Sequence, residues 1–401
     1  MNKDMLLEKK DLPVREHLPT MLGADAEELA HQLQQHQRRI FPPSSQKSIR
    51  QFASSEAAAL IGITDGYLRQ IAAEGQGPEP QANGRRMYSP EDMDQIRHFL
   101  DSKNGVPKYV PHRTGSEELQ VMAVMNFKGG SGKTTTAAHL AQYLALRGYR
   151  VLAIDLDPQA SLSALFGHQP ELDVGDGETI YGAIRYEDPV PISEIVRETY
   201  TPGLHIIPGN LELMEFEHET PKAIVSGLAD QMFFARIGQV LSTIESFYDV
   251  VVIDCPPQLG FLTMSALCAA TSVLITVHPE MLDVMSMSQF LSMTADLMAV
   301  VEGAGARTNY DWMRYLVTRF EPNDGPQSQM TGFMRAIFGN RMLQNPMLKS
   351  TAISDAGVTK QTLYEVERAQ FTRGTYDRAI TSLNAVNDEI ESLLLSTWGR
   401  R

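Results

Sequence analysis

The sequence predicts an α/β protein: a mostly parallel, twisted sheet with helices on both faces, preceded by an N-terminal helix and a winged helix-turn-helix module. Three observations carry this expectation. Short, largely apolar runs (119–125, 150–155, 204–207, 249–254, 273–277 and 315–318) alternate with helical stretches, and runs apolar on both faces are what a buried parallel sheet requires. Two of them end in an acid, Asp155 and Asp254, and the carboxyl ends of parallel strands border the crevice where such sheets bind ligands. Between the first run and its following helix stands Lys128-Gly129-Gly130-Ser131-Gly132-Lys133-Thr134. A glycine loop leading from strand to helix offers backbone N–H groups and a helix N-terminus to phosphates.

The elements follow in order. Residues 1–45 are polar, with a helical stretch over 24–41 in which Leu29, Leu33 and Ile40 recur at roughly helical spacing and which Pro42-Pro43 ends. An amphipathic helix so far from a core must pack on something, either another copy of itself or the main domain. Residues 46–101 carry their own pattern. Ser54-Ser55-Glu56 starts a helix whose buried face is Ala57, Ala58, Leu60 and Ile61; Gly62-Ile63-Thr64 turns the chain, and Thr64 caps a second helix over 65–73. Asn83-Gly84 signals a hairpin leading into Arg85, Arg86, Met87 and Tyr88. Ser89-Pro90-Glu91 then opens a third helix ending near Leu100. Helix, tight turn, helix, basic hairpin and closing helix is the order of a winged helix-turn-helix, and it resembles the MerR-type DNA-binding modules. There the second helix enters the major groove, bringing Thr64, Tyr67, Arg69 and Gln70 to base edges or phosphates, with Arg85 and Arg86 on the wing. The segment's acids (Glu56, Asp65, Glu74, Glu91, Asp92, Asp94) keep open a helical dimerisation domain that binds no DNA. Residues 102–118 hold two prolines, two glycines, Lys103, Lys108 and Arg113, and read as a solvated linker to the α/β domain, 119–401.

The 401 residues allow two or three domains and a large core. No run of about 18 consecutive apolar residues occurs, and the N-terminus lacks an apolar signal core, so a cytoplasmic protein with no membrane partner is expected. Cys255 and Cys268 read as buried thiols in a reducing compartment, forming neither a disulfide framework nor a metal site. A formal net charge of −14 opposes general DNA coating, because phosphate contacts need clustered Lys and Arg, but it leaves room for local basic patches.

Within the glycine loop, Lys133 is placed to reach the β- and γ-phosphates and the Thr134 hydroxyl to ligate Mg²⁺. The usual G-x-x-x-x-G-K-[ST] has glycine where this chain has Phe127, and an additional lysine stands at 128. In Asp155-Leu156-Asp157-Pro158-Gln159, proline stops the strand and holds Asp157 at its tip. Asp254, ahead of Cys255-Pro256-Pro257, is an acid costly to bury unless it serves a metal or its water.

A lysine just before the glycines, then D-x-D-P-Q, then I-D-C-P-P, resembles the deviant Walker A ATPases of the ParA/MinD class over about 119–401. With the extra N-terminal module, the chain resembles the larger plasmid-partition type within the ParA family, and among these the RepA partition proteins of repABC-type plasmids. The resemblance implies ATP and ADP as ligands with Mg²⁺, bound by Lys128, Gly129, Gly130, Ser131, Gly132, Lys133, Thr134 and Thr135. It implies that Lys128 crosses to the phosphates held by another copy, so that ATP sandwiches a homodimer. It assigns Asp157 to the attacking water, Thr134, Asp155 and Asp254 to the metal, and Gly260 to a mobile switch segment. His278-Pro279-Glu280 and 318–322 fall where the family has its adenine-side and dimer loops. It further implies operator DNA with autorepression, nonspecific DNA on the nucleoid, and a ParB/RepB-type centromere-binding protein that stimulates hydrolysis. Arg341, Lys349 and Arg373 are candidates for the nonspecific DNA contact, with a solvated face as the alternative reading.

Other classes compete. A MinD-like membrane-positioning ATPase needs a basic amphipathic C-terminal helix, whereas Leu393-Leu394-Leu395, Trp398 and Arg400-Arg401 follow Asp388, Glu389 and Glu391 and look like a docked helix. A NifH-like reductase needs cluster-binding cysteines that two thiols do not supply. A nucleotide-regulated repressor without a partition role would keep the loop and the module.

Overall fold

The computed structural model describes residues 17–40, 47–105, 107–227 and 232–400. Helix α1, Leu18–Ile40, belongs to a unit separate from residues 48–401. It begins six residues before the expected Ala24, because Pro19 in a first turn needs no backbone donor. Leu18, Met21, Leu22 and Leu29 are exposed on it. The side chains of Leu33 and Ile40, and the stop at Pro42-Pro43, lie outside the described residues.

Residues 48–104 build α2 (Ser54–Ile61), α3 (Asp65–Ala73) and α4 (Pro90–Asn104), with a two-residue strand β1 (Phe52–Ala53) antiparallel to β2 (Met87–Tyr88). Gly62 ends α2 at φ 84°, and the Thr64 hydroxyl accepts from Tyr67 N at 3.3 Å to start α3. Ser89 and Asp92 reciprocate across the first turn of α4. The expected hairpin at Asn83-Gly84 is corrected. The turn exists, with Gln81 N bonded to Arg85 O at 2.8 Å, but β2 pairs with β1 ahead of α2. Pro78 and Pro80 remove the donors that the second hairpin strand would need.

None of the described residues of the expected linker over 102–118 is buried, but its backbone is pinned. The Asp101 carboxylate accepts from Lys108 N, Tyr109 N and Val110 N at 2.7–2.9 Å, and Asp249 accepts from Arg113 N at 2.8 Å. Residues 48–104 therefore share one apolar core with the main sheet. Arg97, 2% exposed, donates to the carbonyls of Leu60 and Leu146. Burial, with the Arg147 charge beside it, pulls its guanidinium down to about 10.

The main sheet comprises β3 (Gln120–Met125), β4 (Val151–Asp155), β5 (Arg197–Glu198), β6 (Leu204–Ile207), β7 (Val250–Asp254), β8 (Ser272–Val277) and β9 (Trp312–Val317), in the order β5-β6-β4-β7-β3-β8-β9. All pairs are parallel except the edge strand β5 on β6. Along each strand alternate residues enter opposite cores: Met122 and Val124 go to one, Val121, Ala123 and Met125 to the other. This two-sided burial is why the strands read as continuous apolar runs.

Helices α5 (Lys133–Arg147), α6 (Phe261–Ala269), α7 (Met281–Gly303), α8 (Gly325–Phe338) and α9 (Arg373–Thr397) are the ones that frame the site. Arg147, in the last turn of α5, donates to the carbonyls of Ala59 (2.8 Å) and Leu60 (3.1 Å) and pairs with Glu391 at 3.0 Å, so the loop helix reaches α2 directly. Helix α9 buries Tyr376, Ala379, Leu383, Val386, Ile390 and Leu394, and after it Trp398 donates to Glu118 O at 2.9 Å. The C-terminal segment is docked. Cys255 is buried as expected, whereas Cys268 is half-buried. Helix α7 is long and apolar enough to cross a membrane by length and composition, although Asp283 and Asp296 interrupt any continuous apolar run. It is also the crossover between β8 and β9, which pair side by side, so both its ends are fixed to one sheet edge.

Candidate nucleotide site

The loop after β3 is held from three sides. The Asn126 amide donates to Thr276 O, and its oxygen accepts from Lys128 N at 3.1 Å. The buried Ser131 accepts from the Thr276 hydroxyl at 3.1 Å, and its carbonyl accepts from the Thr318 hydroxyl at 2.7 Å. Arg319 donates to Gly130 O at 3.2 Å. Gly130 (φ 76°) and Gly132 (φ 84°) occupy the left-handed region, which is what calls for glycine there, since a Cβ on Gly132 would meet Thr318 at an ordinary contact distance of 3.4 Å. Phe127, which departs from the usual glycine, lays its ring 5.2 Å from Phe290 of α7. Gly129 and Gly130 lead into α5, whose first turn (Lys133, Thr134, Thr135) contains no acid and leaves its N-terminal amides for an anion.

Two carboxylates face this loop from neighbouring strand ends, since Asp155 and Asp254 are register partners. Their surroundings differ. Asp155 spends both oxygens: Ser163 N (2.8 Å) and Ser163 Oγ (2.7 Å) donate to one, and Asp157 N (3.1 Å) to the other. Burial still raises it to about 6 against those hydrogen bonds. Neither oxygen of Asp254 has a partner in hydrogen-bonding geometry. Burial first, and then the charge of Asp155, holds its carboxyl well above the usual range, opposed by the nearby Thr134 hydroxyl and Lys133. The Lys133 ammonium is buried and donates to Lys128 O at 3.4 Å; burial lowers it, against Asp254 and Asp157. A fully buried, partnerless carboxylate is expensive. Beside a threonine hydroxyl it suits a hard divalent cation and its waters.

The structure thus brings together Lys128, Gly129 to Thr135, Asp155, Asp157 and Asp254. It separates the roles of the two acids expected at the metal: Asp155 shapes the Asp157 loop, and Asp254 is the one with open oxygens. Asp157 sits at the strand tip with one oxygen accepting from Gln159 N at 3.0 Å. Gly260, assigned to the switch, leaves room for Glu217, which accepts from Phe261 N and Leu262 N at 2.9 Å at the start of α6.

The DNA-directed candidates lie elsewhere. On α3, Arg69 pairs with Asp65 and Gln70 donates to Glu74 at 3.0 Å, while Tyr67 is half-buried behind the Thr64 cap. Arg85 is exposed, and Arg86 is half-buried with its Nε unpaired. Lys349 pairs with Glu321 at 2.7 Å, Arg373 lies 3.9 Å from Asp377, and Arg341 rests over the Phe338 ring. Thr318 and Arg319, within the 318–322 stretch expected at the adenine-side and dimer loops, donate to the phosphate loop instead, whereas Ser163 and Asp283, which bear on the loop or its acids, carry no motif of their own. Each acts across a gap in sequence that no local pattern reports.

A parallel sheet with a glycine loop after an interior strand and buried acids at adjacent strand ends defines a P-loop nucleoside triphosphatase. A family profile described as an AAA domain matches residues 119–302. The chain is 61% identical over 400 residues to a replication protein A of Rhizobium rhizogenes, covering 98% of each. It is 32% identical over 243 residues to a ParA family protein of Chlamydia muridarum, covering 60% of this chain and 88% of that one. A solved partition protein shares the fold at a TM-score of 0.63 and 16% identity, covering 92% of this chain and 98% of that one. The chain belongs to the ParA family of partition ATPases.

Proposed function

We propose that this protein is a plasmid partition ATPase that dimerises on ATP, loads onto nonspecific DNA of the nucleoid, and represses its own operon through residues 46–101 acting as a winged helix-turn-helix. The observation that carries the catalytic part is the buried, partnerless Asp254 beside Thr134 and Lys133. The backbone amides from Gly129 to Thr135 seat the phosphates, and Lys133 places its charge on the β- and γ-phosphates. Thr134 and Asp254 would hold Mg²⁺, which when bound neutralises charge on the phosphate oxygens. Asp157, at the open tip of β4, orients the attacking water. Lys128 crosses to the nucleotide of a second copy. Residues 1–45 serve self-association, and a ParB/RepB-type centromere-binding protein stimulates turnover.

The test is ATP turnover with random-sequence duplex and the centromere-binding partner, added singly and together. A rise that needs both supports partition; no rise leaves a nucleotide-regulated repressor. Asp157→Ala should keep the ATP-dependent dimer, seen by sedimentation, while turnover falls about 10²-fold, the scale of a lost general base. Hydrolysis at the wild-type rate would remove that role from Asp157.

For DNA, α3 supplies the groove-entering helix and Arg85 the wing contact. Arg69→Ala should weaken binding to the operator by about 1–3 kcal/mol, read by gel shift. An unchanged footprint would move recognition to another element. Lys349 and Arg373 already face acids, Glu321 and Asp377, so random-sequence binding requires exchanging those partners for phosphates. That binding should appear with ATP but not ADP and fall steeply with salt. Equal binding in both nucleotide states would contradict the partition mechanism.

A further inference from the structure

The two lysines of the phosphate loop point in different directions. Lys133 turns inward to the buried acids, whereas the Lys128 ammonium pairs with the Asp283 carboxylate in the first turn of α7. Asp283 is well placed to keep it. Its side chain is 12% exposed against 44% for Lys128, and its second oxygen lies 3.6 Å from the His278 ring. An anion in the first turn of a helix is also favoured by the helix dipole. The loop meets the same helix a second time through Phe127 on Phe290. Because the Lys128 backbone N–H is fixed on Asn126, only the side chain is free to choose a new partner.

We infer that Asp283 is a positioning residue for Lys128: it holds the ammonium on its own subunit until the phosphates of a second copy take it over. This rests on the reading of Lys128 as crossing the dimer. Formation of the sandwich then requires two Lys128–Asp283 pairs to break, one from each copy. A triphosphate outcompetes a single carboxylate for an ammonium, and ADP, without the γ-phosphate, offers less charge. The pair therefore raises the threshold for dimerisation in a nucleotide-dependent way. Partly exposed ion pairs are individually weak, so the effect is graded, not absolute.

The test compares wild type, Asp283→Asn, Asp283→Glu and Lys128→Gln by sedimentation over a protein concentration series in ATP and in ADP, with nucleotide affinity measured alongside. Asp283→Asn should dimerise in ATP at about 3- to 10-fold lower concentration, as expected when two modest ion pairs no longer oppose assembly. It should stay monomeric in ADP with nucleotide affinity unchanged, and Asp283→Glu should return the threshold toward wild type. The gain should vanish when Asp283→Asn is combined with Lys128→Gln, because the two changes remove one interaction. Should Asp283→Asn fail to fold, Asp283→Ser removes the same charge and carries the same expectation. An Asp283→Asn threshold equal to or higher than wild type, with ATP dimerisation lost in Lys128→Gln, would overturn the positioning role and leave the crossing lysine intact. Wild-type ATP dimerisation in Lys128→Gln would instead overturn the crossing lysine itself.

Discussion

Asp254→Asn should raise the thermal midpoint of the nucleotide-free protein while removing Mg²⁺-dependent ATP hydrolysis. The two outcomes share one cause. Asp254 is fully buried with both oxygens partnerless, and Asp155 stands opposite it on the next strand. An amide of the same shape carries no charge to desolvate and relieves the repulsion, which should stabilise the fold by about 1–3 kcal/mol. The pH dependence gives the sign independently. Both carboxyls are raised, Asp155 to about 6 and Asp254 by burial and the Asp155 charge. Folded protein therefore keeps protons that the unfolded chain has released, so stability falls as pH rises from the unfolded value of about 4 through the folded values. Asp254→Asn should flatten that fall in a series of melts from acid to neutral pH. Hydrolysis should drop by about 10²-fold or more, the scale seen when one preorganised electrostatic group is lost. A variant that melts below wild type, or retains Mg²⁺-dependent turnover, would show that the orphaned carboxylate is not a cation site.

What the sequence reveals here is what is local in it. The strands are legible because β3, β4, β7 and β8 are buried on both faces and so carry unbroken apolar runs. The loop is legible because strand, glycines, lysine and helix are contiguous, and Asp254 because it ends one of those runs. The errors concern partners distant along the chain. The pairing of β1 with β2 joins Phe52 to Tyr88 through strands of two residues, too short to show an alternation. The module's attachment depends on Arg97 and Arg147, and a periodicity argument counts an arginine as solvent-facing whether or not its guanidinium finds carbonyls. The linker is exposed or half-buried, in keeping with its composition, but its fixed path is not legible because the acids that hold it, Asp101 and Asp249, stand outside it or far from it. Asp155 and Asp254 look alike in sequence, and the donors that make one structural, Ser163 and the Asp157 backbone N–H, have no counterpart at the other.

Lys133→Met should abolish ATP binding at ordinary concentrations while leaving the fold's stability nearly unchanged, the opposite division from Asp254→Asn. Methionine keeps the length and the apolar stem of lysine, so the packing of the first turn of α5 survives. What is removed is a buried cation that lies among Asp254 and Asp157 and whose own ammonium is disfavoured by burial. For the free protein these terms oppose: the desolvation of Lys133 is relieved, but the two acids lose the cation that offsets them. For the nucleotide they do not oppose, because the phosphates lose a buried charge-assisted partner, an effect of about 2–5 kcal/mol, or roughly 30- to 5,000-fold in affinity. Calorimetry with ATP and a melt of the nucleotide-free variant separate the two. The pair should also be non-additive: in an Asp254→Asn background the acid that offset Lys133 is gone, so Lys133→Met should then stabilise the free protein instead of leaving it unchanged. Wild-type ATP affinity in Lys133→Met would mean that the phosphates do not seat on the loop after β3. Additive stability changes would mean that Lys133 and Asp254 do not share one electrostatic pocket.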